Sequence, residues 1–415
     1  MTTSFVKPPM KTTQEALAHL LSRATPVDQV ETVSTQDALG RILAKDTLSQ
    51  VDVPPMDNTQ MDGYAVRTAD IQKPGTSFKV SQRIPAGHVG ARLEPGTVAR
   101  IFTGASIPDG ADAVVMQELC ELNGDEVKIL ELPAPGQWIR KQGEDLTAGQ
   151  VCLTQGTLLR AQELGVAASA GYAQLPVFRK LKVAAFFTGD ELTLPGEALK
   201  PGGIYNSNRD TLLACIRSLG CDATDLGIVP DTLEATRAAL RQAAQGHDLI
   251  ITSGGVSVGE EDHIKPAVSA EGYLDLWQIA MKPGKPLAFG AVKNPVNNPH
   301  GSSDTWFMGL PGNPVSSFVT FLLFVRPFIA KMQGRVNHRA PSMKMRADFD
   351  WLKPDRRNEF LRVRINAEGG LDLFPNQGSG VLTSASWADG LLDNPPSQVI
   401  KKGDFVKYIP FAGML

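Results

Sequence analysis

The spacing of apolar residues changes several times along the 415-residue chain, and each change implies a different kind of packing. Near the start, Ala16, Leu17, Leu20 and Leu21 share one face at helical spacing, behind Thr12 and Glu15 in a capping-box arrangement. A short amphipathic helix is expected there. From 54 to about 149 the apolar pieces are short and punctuated by Gly and Pro, as in 77–80, 98–102 and 113–116, which reads as a small β-rich domain. Residues 150–176 contain a helical stretch around 158–168 and are expected to return to the N-terminal helix. That return would make the first domain discontinuous.

From Leu181 the rhythm becomes strand, helix, strand, the pattern of a parallel sheet flanked by helices. Strands are expected at 181–187, 222–229, 248–252, 286–292 and 305–310, and helices at 211–219, 232–245 and 314–332. After Gly334 the helical rhythm stops, and 343–349, 360–365, 371–374 and 405–409 read as strands of a terminal β domain. The most apolar run, 318–330, is interrupted by Arg326 and Pro327 and reads as a buried helix, because a membrane span needs about 20 apolar residues.

Composition narrows the class without changing this outline. Hydrophobic residues at 42% and charged residues at 20% fit a globular chain. At roughly 150 residues per domain, the length suggests two or three domains. The 39 glycines and 29 prolines exceed ordinary usage and imply many turns. A formal charge of −3 offers no positive field for a nucleic-acid backbone or an anionic membrane, so neither is expected as a partner. Lys7 and Lys11 flank no apolar core, so no secretory signal is expected. Cys120, Cys152, Cys215 and Cys221 form no zinc or disulfide pattern. A cytoplasmic enzyme or binding protein is the expectation.

The candidate chemistry lies in loops. S-G-G-V-S-V-G, 253–259, follows the strand at 248–252; its glycines let backbone N–H groups approach an oxyanion, and Ser253 and Ser257 add hydroxyls. G-L-P-G-N-P-V-S-S, 309–317, places Asn313 as an N-cap, Pro314 at the first helical position, and Ser316 and Ser317 in the first turn. Each also reads as a plain turn or helix start, but two such loops at strand carboxyl ends point together to a ligand. M-K-P-G-K-P, 281–286, carries Lys282 and Lys285, which read either as phosphate contacts or as exposed hairpin lysines. Acids stand at element ends: Asp190, Glu191, Asp210, Asp231 and Asp262. Asp231, with Glu234 three residues on, reads equally as a helix cap. Carboxylates beside phosphate cradles make sense if a hard cation such as Mg²⁺ bridges them to the anion. Asp62 and Thr103 stand in turns that need no functional reason.

Together, M-D-G-Y-A, T-G-A-x-x-P-x-G-A-D-A-V-V-M, T-G-D-E-L, I-Y-N-S-N, S-G-G-V-S-V-G, M-K-P-G-K-P and G-L-P-G-N-P-V-S, in this order and end to end, resemble the molybdopterin molybdenumtransferase family, related to the C-terminal part of gephyrin. Thr59 and Gln60 replace the usual S-A before M-D-G-Y-A, and Glu260, Glu261 and Asp262 replace a frequent D-Y-D.

The resemblance implies a multidomain α/β plus β fold. Its parts are a discontinuous α+β domain (1–53 and 149–178), a β-rich domain (54–148), a three-layer α/β molybdopterin-binding domain with a parallel-type sheet (179–332) and a C-terminal β-barrel (333–415). It implies Mg²⁺-assisted insertion of molybdate into adenylylated molybdopterin, with release of AMP. Asp62, Thr103, Glu191, Asp231, Asp262 and Asp145 would line the site, with Glu191, Asp231 and Asp262 as the metal or molybdate ligands. Ser253, Gly254, Gly255, Ser257, Lys282, Lys285, Asn313, Pro314, Ser316, Arg357 and Ser379 would hold the pterin phosphate and adenylate. A homodimer sharing its sites between subunits, and a molybdopterin adenylyltransferase upstream, are also implied. The alternatives are a non-catalytic molybdopterin-binding scaffold and a tungstate-inserting homologue.

Overall fold

The structure, a computed structural model, describes residues 10–256, 263–294 and 304–414. Its first helix, Thr13–Arg23, begins at a reciprocal cap: the Thr12 hydroxyl accepts from the Glu15 N–H at 3.2 Å, and the Glu15 carboxylate accepts from the Thr12 N–H at 2.9 Å. Ala16 and Leu20 are buried in the same core as Val325 and Phe328. The apolar stripe of this helix therefore faces the helical run Pro314–Met332.

Residues 150–176 take their ladder partners from the strands that follow that helix, while Leu158 packs against the core that holds Ala16 and Leu20. Strand Gln174–Phe178 pairs antiparallel with Val30–Ser34, and Val151–Leu153 with Thr47–Leu48. Their shared core holds Leu43, Leu159, Leu175 and Val177. The physical reason is that strand edges need ladder partners for their N–H and C=O groups, whereas the amphipathic helix needs only a broad apolar face.

Between these two halves lies a six-stranded sheet. Its order is Ala113–Met116, Gly63–Val66, Thr97–Ile101, Thr76–Ile84, Glu126–Ile129, Cys120–Asn123. Tyr64, Val98 and Val115 pack on one face, and Ala65, Ile101 and Val114 on the other. Burial on both faces explains why the pieces read as short apolar runs without strict alternation.

The α/β domain has six strands in the order Asp222–Val229, Lys182–Thr188, Leu249–Ser253, Asp304–Leu310, Pro286–Lys293, Gly272–Gln278. The first four are parallel, and the last two run antiparallel to their neighbours. The sheet is thus mixed rather than uniformly parallel. Gly272–Gln278 was not expected, because it follows helix Ile264–Glu271 with no turn residue other than Gly272 itself. Residues 279–285 are too few for a crossover, so an antiparallel return is the available geometry.

The run Pro314–Met332 contains a π-helical turn at Phe321–Val325 and is long and apolar enough to cross a bilayer, but 83% of its apolar window is packed inside the protein. It is a core helix. Arg326, 2% exposed, donates to the carbonyls of Met414 at 3.0 Å and of His338 and Gly413 at 3.3 Å. In the terminal domain, strands Leu371–Leu373, Asn358–Ile365, Gly390–Asn394, Phe405–Pro410 and Met343–Arg346 follow one another, and a bridge between Ala347 and Leu371 closes them into a barrel. Gly390–Asn394 is central yet absent from the sequence expectation. An added Cβ on Gly390 would collide with Ile409 O and the Tyr408 ring, so close packing explains its glycine start.

Candidate functional site at the strand carboxyl ends

The four parallel strands end side by side, with Thr188 opposite Val229, Phe187 opposite Ser253, and Ser253 opposite Leu310. Their next residues form the candidate site: Asp231, then Gly189 and Glu191, then Gly254 and Gly255, then loop 311–313. Open α/β sheets present ligand crevices at this edge. Gly254 has φ +101° and its added Cβ would lie 2.7 Å from Thr188 O, so any side chain here would force the backbone to shift. Its N–H donates to Leu310 O at 3.1 Å.

Asn208 ties the two glycine-rich loops together. It lies in the first turn of helix Ser207–Ser218, whose cap is the Asn206 side chain accepting from the Arg209 N–H. The Asn208 amide donates to Ser253 Oγ at 2.8 Å and to Gly312 O at 2.7 Å. Ser253 Oγ in turn donates to Pro311 O at 2.9 Å. Ser253 is 3% exposed, and its Oγ is engaged by both loops. Asn208 stood in the I-Y-N-S-N string but was given no role, because nothing local announces a partner 104 residues away.

Loop 309–317 also differs in detail. Asn313 occupies the N-cap position but makes no side-chain cap bond and is exposed. Pro314 carries no N–H, and the Val315 N–H donates to Ser379 O at 3.0 Å. The helix start therefore keeps fewer free donors than the sequence pattern implies. Ser316 and Ser317 are buried, with Ser317 Oγ 3.4 Å from Ser253 Oγ. The contact from Ser379 brings a terminal-domain residue to the helix start.

Loop 281–286 reaches the same helix: an added Cβ on Gly284 would lie 2.6 Å from Thr320 Oγ1 and 3.4 Å from Ser316 O. Lys285 is exposed. Lys282 instead meets the terminal barrel, with Nζ 3.3 Å from Glu359 Oε1 and 3.6 Å from Asp355 Oδ2. Arg357 grips Asp355 with two bonds of 2.9 Å, which hold that carboxyl well below the usual carboxylate range. Arg357 and Lys282 thus share one acid.

Asp231 is not the cap of the helix that follows. That position belongs to Thr232, whose hydroxyl accepts from the Ala235 N–H at 3.3 Å, and the helix runs Leu233–Ala244. The one-residue shift arises because Thr232 is extended at φ −128°, as an N-cap requires. Glu191 is exposed in the turn after Gly189. Ser257 and Asp262 lie outside the described residues.

Asp62 and Thr103 meet on the β-rich domain. Asp62 Oδ1 accepts from the Thr103 N–H at 2.8 Å and the Thr103 hydroxyl at 2.7 Å. These two bonds, helped by Arg100 and opposed by burial, lower the Asp62 carboxyl below its ordinary value. Asp145 belongs to a separate turn, where its N–H donates to Val53 O at 3.0 Å. A groove of about 1070 Å³ lies elsewhere, lined by Leu17, Leu21, Phe324 and Phe405 among others.

Among the described residues no three His, Cys, Asp or Glu side chains gather as a metal cage. Glu191 and Asp231 do stand on adjacent strand ends. One or two carboxylates beside substrate phosphates are the usual holders of Mg²⁺, so these donors fit that ion.

Three family models match in order: "MoeA N-terminal region (domain I and II)" over residues 11–171, "Probable molybdopterin binding domain" over 184–331, and "MoeA C-terminal region (domain IV)" over 344–411. Molybdopterin molybdenumtransferase of Haemophilus influenzae is 43% identical over 369 residues, covering 88% of this chain and 89% of its own. That of a Nostoc species is 36% identical over 378 residues, covering 89% and 85%. A crystal structure of a molybdopterin biosynthesis moeA protein from Pyrococcus horikoshii matches with TM-score 0.80 at 29% identity, covering 97% of this chain and all of that one. At such identity and coverage, and with the strand-end loops inside the molybdopterin-binding match, the chain belongs to the molybdopterin molybdenumtransferase family.

Proposed function

We propose that this protein is a cytoplasmic molybdopterin molybdenumtransferase that takes adenylylated molybdopterin and molybdate, forms the metal dithiolene and releases AMP by attack of water on the pyrophosphate link. The observation that carries this reading is the joining of two glycine-rich loops by Asn208 at the carboxyl ends of parallel strands. Gly254 and Gly255 would bring backbone close to the phosphates, the exposed Asn313 and Lys285 would contact them, and Ser316 sits in the first turn of the helix. Positioning of this kind lowers the barrier by holding reactants in one geometry. Glu191 and Asp231 would hold Mg²⁺, which when bound offsets the charge gathered on the departing AMP. Thiol protons and a departing molybdate oxygen must leave together as water, and a carboxylate at this edge is suited to relay the proton.

Asp62 and Thr103 lie on a different domain from these loops. We place them in the same site across a homodimer, each subunit completing the other. A molybdopterin adenylyltransferase upstream would supply the adenylylated substrate. The test is direct: incubation with adenylylated molybdopterin, molybdate and Mg²⁺ releases AMP and yields active cofactor. No molybdate-dependent release sinks the proposal and leaves a binding scaffold, and faster turnover with tungstate identifies the other oxyanion as the substrate. Asp262→Asn should lower AMP release while leaving pterin binding largely intact.

A further inference from the structure

Glu359 is a fully buried carboxylate, 0% exposed, in the barrel strand Asn358–Ile365. A carboxylate taken out of water is stable only with a counter-charge and hydrogen bonds. Here Trp351 Nε1 donates to Oε2 at 2.8 Å, the Asn394 amide donates to Oε2 at 3.3 Å, and Lys282 Nζ donates to Oε1 at 3.3 Å. The neighbouring Arg357 is committed to Asp355, so the cation on Glu359 is Lys282, from the α/β domain.

Backbone register enforces the pairing. Met281–Lys282 runs parallel to the start of that barrel strand, with Met281 opposite Asn358 and Lys282 opposite Glu359. The Asn358 N–H also donates to Ala280 O at 2.9 Å. The same short loop carries Gly284, where an added Cβ would lie 3.4 Å from Ser316 O in the first helical turn and 2.6 Å from Thr320 Oγ1 one turn on. One end of loop 281–286 is thus fixed by a buried charge, and the other touches the proposed anion site. If Lys282 left for a phosphate, Glu359 would stay buried without its cation, a cost that favours retention of the pair.

We propose that Glu359 is a positioning residue for the anion site, acting through Lys282 to fix loop 281–286 against the helix start. This rests on the function proposed above. Its ligand class is a pyrophosphate-linked anion, and inorganic pyrophosphate is a suitable probe. The carboxylate never meets the ligand; it sets where the lysine and its loop stand.

Calorimetric titration of the full chain with inorganic pyrophosphate, beside its melting temperature, tests this. Glu359→Gln and Lys282→Met should each weaken binding by about tenfold, the scale of one charge-assisted hydrogen bond. The double variant should bind no more weakly than Lys282→Met alone, because Glu359 acts through that lysine. A purely structural role predicts lower melting temperatures with unchanged binding, or additive losses in the double variant; either result overturns the proposal. Should Glu359→Gln not fold, Trp351→Phe removes one bond to the same carboxylate, and unchanged binding there is equally fatal. Wild-type protein that releases AMP but does not bind pyrophosphate overturns the positioning role alone, whereas absence of AMP release overturns the function on which it rests.

Discussion

Asp62 shows how much two hydrogen bonds can set at the level of one residue. Its carboxyl is lowered chiefly by the Thr103 N–H and hydroxyl, so the charged form is favoured in the folded protein. The associated stability is present above the unfolded value of about 4 and is lost as pH falls through the lower, folded value. Thr103→Val keeps the N–H bond but removes the hydroxyl. NMR titration should then show Asp62 protonating at higher pH than in the wild type; an unchanged titration would contradict the assigned cause. Gly254 carries a steric prediction: at φ +101° and with Thr188 O 2.7 Å from an added Cβ, Gly254→Ala should cost roughly 1–3 kcal/mol, read from urea unfolding. The glycine was legible in the sequence as a close approach, while the atom approached was not.

At the scale of elements, the loops matter as a pair. Asn208→Ala removes both donors that join Ser253 Oγ to Gly312 O, leaving two acceptors short of a partner. A loss of about 1–3 kcal/mol is expected, with weaker pyrophosphate binding because both loops loosen together. Intact binding beside a stability loss would limit Asn208 to the fold. Strand positions were largely readable wherever an apolar run was bounded by Gly or Pro, as at Lys182–Thr188 and Leu249–Ser253. Gly272–Gln278 and Gly390–Asn394 were not, since a helix or a polar end masks the run and only their ladder partners make them strands.

Across the whole molecule, one joint between domains is built from residues that no motif marks. Arg179 follows the last strand of the discontinuous domain and grips Asp248, with bonds of 2.8 and 2.6 Å, just before the central strand Leu249–Ser253. The two side chains are 13% and 6% exposed, so breaking the pair leaves a buried carboxylate without this cation, although the Lys182 N–H still donates to it at 2.8 Å. Arg179→Met should cost about 3–5 kcal/mol in urea unfolding, and a change under 1 kcal/mol would show the pair to be dispensable.

The chain alone determined the rhythm of strands and helices in the α/β domain, the capping box at Thr12, the buried helix at 314–332 and the family, because these depend on local spacing and local residue chemistry. Tertiary structure decided the mixed sheet, the destination of residues 150–176, the commitment of Ser253 and Val315 to the loops and the barrel, and the pairing of Lys282 with Glu359. Those outcomes join groups far apart in sequence, and what fixes them is the requirement that buried polar atoms find partners wherever the packed chain brings them.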